Sequence, residues 1–359
     1  MAGPTLIDEW QLVPETWEWV RRAVDSDPTG GRFLLTGSAH LAPGVRIHSG
    51  AGRIVRLLMR PMSLAERHPD LAQISFAALL RGENPEIAGS AAWGVAEYVD
   101  ETLRSGFPGI RDLPERARAL QLDRYLARAI DRELPESGAE VRRPEALRAW
   151  LAAYAAATST DASYTAILNA ATPGEGDKPA RQTAEIYRQH LVRIFLLDPV
   201  EAWIPTFSPL KRLTVAPKHH LVDPALAARL VGVGKAGLLL GDGQRVAART
   251  GSWLGALFES MVTQSVRVYA EAAEARVGHL RTTNTDQEID LIVEARDGSV
   301  VAIEIKLARA VSDSDVEHLN WLHAQLGDRV VERMIVNTGP FAYRRRDGVA
   351  VVPFALLGP

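Results

Sequence analysis

Two β-branched, apolar runs, Ile289–Glu294 and Val300–Leu307, flank Arg296-Asp297-Gly298-Ser299 and constrain this chain more than any other feature. Short apolar runs on either side of a Gly-bearing turn read as a β-hairpin. The hairpin carries acids inside its apolar runs: Asp290 on the first strand, then Glu304 and Lys306 on the second. Side chains alternate along a strand, so Glu304 and Lys306 share one face, while Ile303 and Ile305 point to the other, toward a core. Loop length then decides what Asp290 faces. A two-residue Asp297-Gly298 loop sets it opposite Ile305, with Glu304 on the wrong face. A three-residue loop, Arg296-Asp297-Gly298 with glycine in the left-handed region, sets Asp290 opposite Glu304. The three-residue loop, or a bulge with the same effect, is the expectation.

Facing carboxylates of this kind can hold a divalent cation, magnesium first among them, with Asp290 and Glu304 as ligands. Upstream, Glu259 lies on a long helix read over Ser252–Glu274, with Phe258 and Met261 as core anchors, and offers a third carboxylate. The set Glu259, Asp290, Glu304 and Lys306 resembles the PD-(D/E)xK nuclease motif. That resemblance implies a metal that acidifies a water and neutralises phosphate, with the lysine orienting the water or stabilising charge. His219, His220 and His318 are further candidates, and one of the adjacent pair is expected packed and the other exposed.

The start of the chain has a different logic. Leu6-Ile7-Asp8-Glu9 is an apolar strand ending in two acids, the form of a Walker B strand: the Asp helps hold magnesium and the Glu orients water. A helix over Pro14–Val24, a strand ending at Thr36-Gly37-Ser38 and a third strand at Ile54–Met59 complete an α/β reading. Ser38 is placed near a γ-phosphate, and Arg53 is a charge-stabilising arginine. A phosphate loop needs G-x-x-x-x-G-K-[ST] after a strand. Gly232-Val233-Gly234-Lys235-Ala236 lacks the first glycine and the hydroxyl residue, so it reads as a glycine-rich loop. In such cores the loop precedes Walker B, and seven residues precede Asp8. ATP binding is therefore expected only if an upstream segment supplies that loop.

These segments, with Arg60-Pro61-Met62-Ser63-Leu64-Ala65-Glu66, Tyr187–Leu191 and Lys218-His219-His220-Leu221-Val222-Asp223-Pro224, resemble the DUF4143 class of prokaryotic AAA+-type ATPases over essentially the whole chain. The resemblance implies a winged-helix module in the middle, with helices at Tyr164–Ala171 and Gln182–Phe195 and with Arg181, Arg188, Gln189 and Arg193 exposed for DNA. The expected fold class is therefore α/β and α: a partial P-loop ATPase core over 1–70, a helical lid-like region over 71–142, a winged-helix module over 143–205 and a restriction-endonuclease-like α/β domain over 206–359.

Composition sets outer limits. The 359 residues carry a net charge of −3, which gives no global basic field, and there is no cysteine for disulfides or thiolate zinc. No run of apolar residues is long enough to cross a bilayer, and the first residues do not form a signal peptide. The expectation is a cytoplasmic prokaryotic protein with DNA and oligomeric partners in view. Its C-terminal domain is either a metal-dependent endonuclease or a non-catalytic DNA- or protein-binding scaffold. Through the resemblance alone, a toxin–antitoxin or phage-defence component is a further alternative.

Overall fold

The computed structural model describes residues 4–37, 53–171, 181–204, 216–240, 245–247, 250–282 and 287–359. Its centre is a seven-stranded mixed sheet. The short strand β1 (Thr5–Ile7) and β2 (Phe33–Leu35) stand apart from that sheet, and β3 (Gly89–Ser90) forms one of its edges. The remaining strands are β4 (Arg276–Arg281), β5 (Glu288–Glu294), β6 (Val300–Lys306), β7 (Val330–Asn337), β8 (Phe341–Arg344) and β9 (Ala350–Pro353). Their spatial order is β3-β8-β9-β7-β6-β5-β4. Strand β7 runs parallel to both β6 and β9, and the remaining pairs are antiparallel.

The interior strands are apolar on both faces because helices cover both. The long helix α8 (Gly251–Ala272) lays Phe258, Met261, Val262 and Val266 against Leu291, Val293, Val301 and Ile303. On the far face, Leu319 and Leu322 of α9 (Glu317–Leu326) pack with Ile292, Ala302 and Ile335. Burying each such side chain contributes about 1.5–3 kcal/mol, which is why these strands read as continuous apolar runs.

The hairpin register follows the three-residue loop. Leu291 faces Ile303 and Glu294 faces Val300; the paired register ends at Leu291, and the Asp290 side chain beyond it accepts from Ile305 N–H. Ala295 N–H donates to Ser299 O at 2.9 Å, and Gly298 closes the turn at φ +87°.

A second core belongs to helices. Helices α2 (Val95–Arg104), α3 (Glu115–Arg128), α4 (Pro144–Ala156), α5 (Tyr164–Ala171), α6 (Arg181–Arg193) and α7 (Pro224–Val231) contribute Val99, Leu122, Trp150, Ile167, Leu191 and Leu226. Asp223 caps α7 by accepting from Ala225 N–H, with Pro224 at the first helical position. Gly232 ends it at φ +75°, so the glycine-rich segment is a helix stop.

At the start, α1 (Glu15–Ser26) links β1 and β2, which pair in parallel. Ile54–Met59 is irregular, not a third strand. Its Val55, Leu57 and Met59 are exposed. Leu58 N–H donates at 2.7 Å to the carboxylate of Glu271 rather than to a strand. Arg60 follows, bonding Asp198 and Glu271, each at 2.9 Å. The region over 71–142, expected to be a helical lid, also holds two short strand pieces. Gly89–Ser90 pairs with β8, and Ile74–Ser75 pairs with Leu357–Gly358. Leu64, Phe76, Leu79 and Tyr98 share the core of α8 and the sheet. Lys218–Val222 is extended and, among the described residues, pairs through isolated bridges, Lys218 with Val200 and Leu221 with Leu197. No helix among the described residues is long and apolar enough to cross a membrane.

The loop geometry sets a test. Gly298→Ala forces a Cβ into the left-handed region, with no steric clash nearby, and lowers stability by about 1 kcal/mol in urea unfolding. An unchanged urea midpoint would show that this turn does not hold the register.

Candidate functional site: a lysine among carboxylates

Asp290 sits on β5, Glu304 and Lys306 on β6, and Glu259 on α8. The structure brings these four residues to one end of the sheet, and it adds a fifth at their centre. Lys218, on the extended segment before α7, places its Nζ 2.8 Å from Asp290 Oδ1, 3.0 Å from Glu259 Oε1 and 3.3 Å from Glu288 Oε1. Its side chain is only 3% exposed. Asp290 uses its other oxygen, Oδ2, to accept from Ile305 N–H at 2.9 Å. Glu304 accepts from Lys306 Nζ at 3.0 Å, as expected for side chains two apart on one strand face. A buried charge persists only when it is paired and hydrogen-bonded, and this cluster meets that demand through two lysines.

The electrostatics follow from burial and neighbours. Burial alone would depress Lys218, but Asp290, Glu259 and Glu288 overcome it and hold the ammonium well above its ordinary range. Burial and then Asp290 push Glu259 up to about 8, against the pull of Lys218. Glu304 is raised well above the usual carboxylate range by burial and then by Asp290. Asp290 moves the other way: burial opposes its ionisation, and Lys218 more than offsets that, so its pKa is lowered. Asp290 is thus favoured in its ionised form while Glu259 and Glu304 resist ionisation, the division expected when like charges crowd a partly dry site.

The histidines play supporting parts. Both His219 and His220 are buried, contrary to the expected packed-and-exposed pair, because their segment runs between the helical core and the sheet. The His219 ring lies between Tyr154 and Tyr164, and its Nε2 is 2.7 Å from Ala162 O. His220 Nδ1 is 3.2 Å from Ser260 Oγ, on the residue after Glu259. Burial lowers the pKa of both rings. His318 Nδ1 contacts the backbone oxygen of Glu288 at 2.6 Å, so it holds the strand. Among the described residues, no group of three or more His, Asp or Glu is arranged to hold a metal ion.

The other predicted site is looser. Asp8 Oδ1 accepts from Thr36 Oγ1 at 2.6 Å, which ties the end of β1 to the end of β2. The Glu9 carboxylate accepts from Gln11, and Glu9 itself adopts φ +50°. Arg53 bonds Asp25 on α1. Ser38 lies outside the described residues. On α6, Arg188 is drawn onto Glu185 and lies over the Tyr164 ring at 4.8 Å, and Gln189 also bonds Glu185, while Arg181 and Arg193 are exposed.

Three family models match the chain. Residues 2–68 match an AAA domain, residues 95–237 a domain of unknown function named DUF8612, and residues 254–357 a domain of unknown function named DUF4143. Two mycobacterial proteins are similar over 98% of this chain and 69% of their own length at 25% identity. They are uncharacterized protein Mb2031c of Mycobacterium bovis and uncharacterized protein Rv2008c of Mycobacterium tuberculosis. No solved structure matches. The AAA and DUF4143 matches support an AAA-like, ATPase-associated family.

Two measurements probe the cluster. Lys218→Met leaves Asp290 buried without its cation and costs about 3–5 kcal/mol of stability by chemical denaturation. A loss below about 1 kcal/mol would mean water reaches these carboxylates. The second concerns pH. A carboxyl whose folded pKa is raised destabilises the fold as pH climbs from its unfolded value, 4.5, to its folded one, about 8, because the unfolded chain sheds the proton first. Asp290, with a lowered pKa, contributes stability that is lost only on acidification through its folded value. Glu259→Gln should therefore flatten the decline in stability across the window from 4.5 to about 8 and stabilise the protein at its upper end. An unaltered slope would place that proton on another group.

Proposed function

We propose that this chain is an ATPase-family protein whose C-terminal α/β domain has the carboxylate layout of a PD-(D/E)xK nuclease and uses it as a charge-locked binding scaffold. The observation that carries this reading is the Lys218 ammonium, 2.8–3.3 Å from three carboxylates. It takes the place between Glu259 and Asp290 that a cation would need. Asp290 has one oxygen on Lys218 and the other on the Ile305 amide, and Glu304 is engaged by Lys306. A magnesium ion held by Asp290 and Glu304 would have to displace those donors, and metal-assisted phosphodiester cleavage requires an open coordination position for water. The residues present fit a resident ammonium better than a hydrated divalent ion.

In the scaffold reading the lock joins three parts of the chain. Lys218 arrives from the segment that leads into the helical core, Glu259 belongs to α8, and Asp290 belongs to the sheet. Asp8 and Glu9 remain the residues suited to the magnesium and water roles of an ATPase core, with Thr36 beside Asp8.

Calorimetric titration with manganese or magnesium tests the lock. The unaltered chain is expected to take up no divalent ion at this cluster, whereas Lys218→Ala frees Glu259 and Asp290 and gains affinity there. Binding by the unaltered chain that disappears in Asp290→Ala/Glu304→Ala would replace the scaffold reading with the metal-dependent nuclease.

A further inference from the structure

Strand β8 (Phe341–Arg344) presents two aromatic rings to solvent. Phe341 is 62% exposed and Tyr343 is 42% exposed, while Ala342 between them is buried in the core beneath α8. Alternation along the strand therefore puts both rings on the opposite face, the one that α9 covers farther along the sheet. The backbone of β8 is engaged by β3 at Phe341 and Ala342 and by β9 at Tyr343 and Arg344. Its hydrogen-bonding groups are largely used, so the side-chain face is what β8 offers a partner.

Arginines stand at both ends of this strand. Before it, the Arg309 backbone is fixed against the strand's entry: its carbonyl accepts from Asn337 Nδ2 at 3.4 Å, and a Cβ on residue 339 would meet that same oxygen at 2.7 Å. The close approach is open to Gly339 because it has no Cβ. After β8 come Arg345 and Arg346. Arg345 is held by Asp313 and Asp347, at 2.6 and 3.2 Å, and Arg344 by Glu332 at 2.8 Å. Arg309 and Arg346 are exposed and meet no carboxylate among the described residues. The acids that touch this strand's arginines are thus matched, and a cation is left over on either side of the aromatic pair.

We propose that this face binds single-stranded nucleic acid, with one base on Phe341, one on Tyr343 and the flanking phosphates on Arg309 and Arg346. The proposal names a ligand for the scaffold reading, on which it rests in taking the domain to bind without cleaving. Exposed rings beside a basic track are the means by which single strands are held without regard to sequence. Rings two residues apart lie about 6.5–7 Å apart along a strand, about twice the roughly 3.4 Å step of stacked bases, so an unstacked strand seats one base on each ring. A duplex keeps its base faces within its own stack. A second copy laid on this face would set arginine against arginine, with no free acid to answer it.

Fluorescence anisotropy on the full chain in EDTA tests it, with oligothymidylate and oligouridylate of about 15 nucleotides and a blunt duplex of equal length as probes. At least one single strand is expected to bind, with the duplex at least about tenfold weaker, and the tighter of the two strands tells DNA from RNA. Phe341→Leu/Tyr343→Leu keeps apolar side chains but removes the rings, and is expected to weaken binding by about tenfold with its salt dependence unchanged. Arg309→Gln/Arg346→Gln is expected to weaken binding and to flatten its salt dependence. All four residues are exposed, so the substitutions leave the fold intact. Absence of binding by both oligonucleotides overturns the proposal. So does equal binding of the duplex, or affinity indifferent to the leucine pair. A dimer in sedimentation that the leucine pair dissociates, with no oligonucleotide bound, would instead make this face a contact between copies. Cleavage of a bound probe on adding magnesium would sink the scaffold reading and leave the binding face standing, so the two failures are distinguishable.

Discussion

The interaction on which the C-terminal half depends is the burial of one ammonium among carboxylates. An isolated charge in a protein interior costs several kcal/mol, and a pair recovers that cost only with good geometry and satisfied hydrogen bonds. Lys218 meets the condition by drawing ligands from α8 and β5 at once. The cluster is therefore a joint as well as a site. The segment that carries Lys218 also bonds Ser159 and Thr160 after α4, through the His219 backbone. Sheet, long helix and helical core meet at that one residue.

A second ionic junction lies on the same helix. Arg60 and Arg267 converge on Asp198, and Glu271 takes Arg60 and the Leu58 amide. Glu259 and Glu271 both project from α8, so this helix is braced near its middle and at its C-terminal end by charges from different parts of the chain. Between the braces, Met261, Val262 and Val266 are fully buried in the core.

Much of the hairpin was legible before any coordinates. Alternation along β5 and β6 and the glycine in the loop were enough to give the register that sets Leu291 opposite Ile303, because a slip of one position would turn every side chain over. Lys218 was less legible. The signal was present, a lysine leading an apolar segment that ends in Asp-Pro, but sequence spacing does not reveal which distant carboxylates a buried lysine will reach. Ile54–Met59 misled for a related reason. Its run of apolar residues suits a strand, yet a strand needs a partner, and this stretch docks through Leu58 N–H and Arg60 instead. Gly89–Ser90 and Ile74–Ser75 were invisible because two-residue strands carry no periodicity and exist only through their long-range partners.

The turn at Arg296-Asp297-Gly298 has a consequence for how this domain can evolve. Surface turns are where homologous proteins ordinarily gain and lose residues. Here the flanking strands are each held in register by a second neighbour, β5 by β4 and β6 by β7. A single inserted or deleted residue would have to be absorbed by sliding one strand, and a slide of one position turns every side chain on that strand over. The acids would part company although none of them had mutated. Length at this turn is thus under the same selection as the identity of Asp290 and Glu304, and a lineage that abandons the cluster is free to let that length drift.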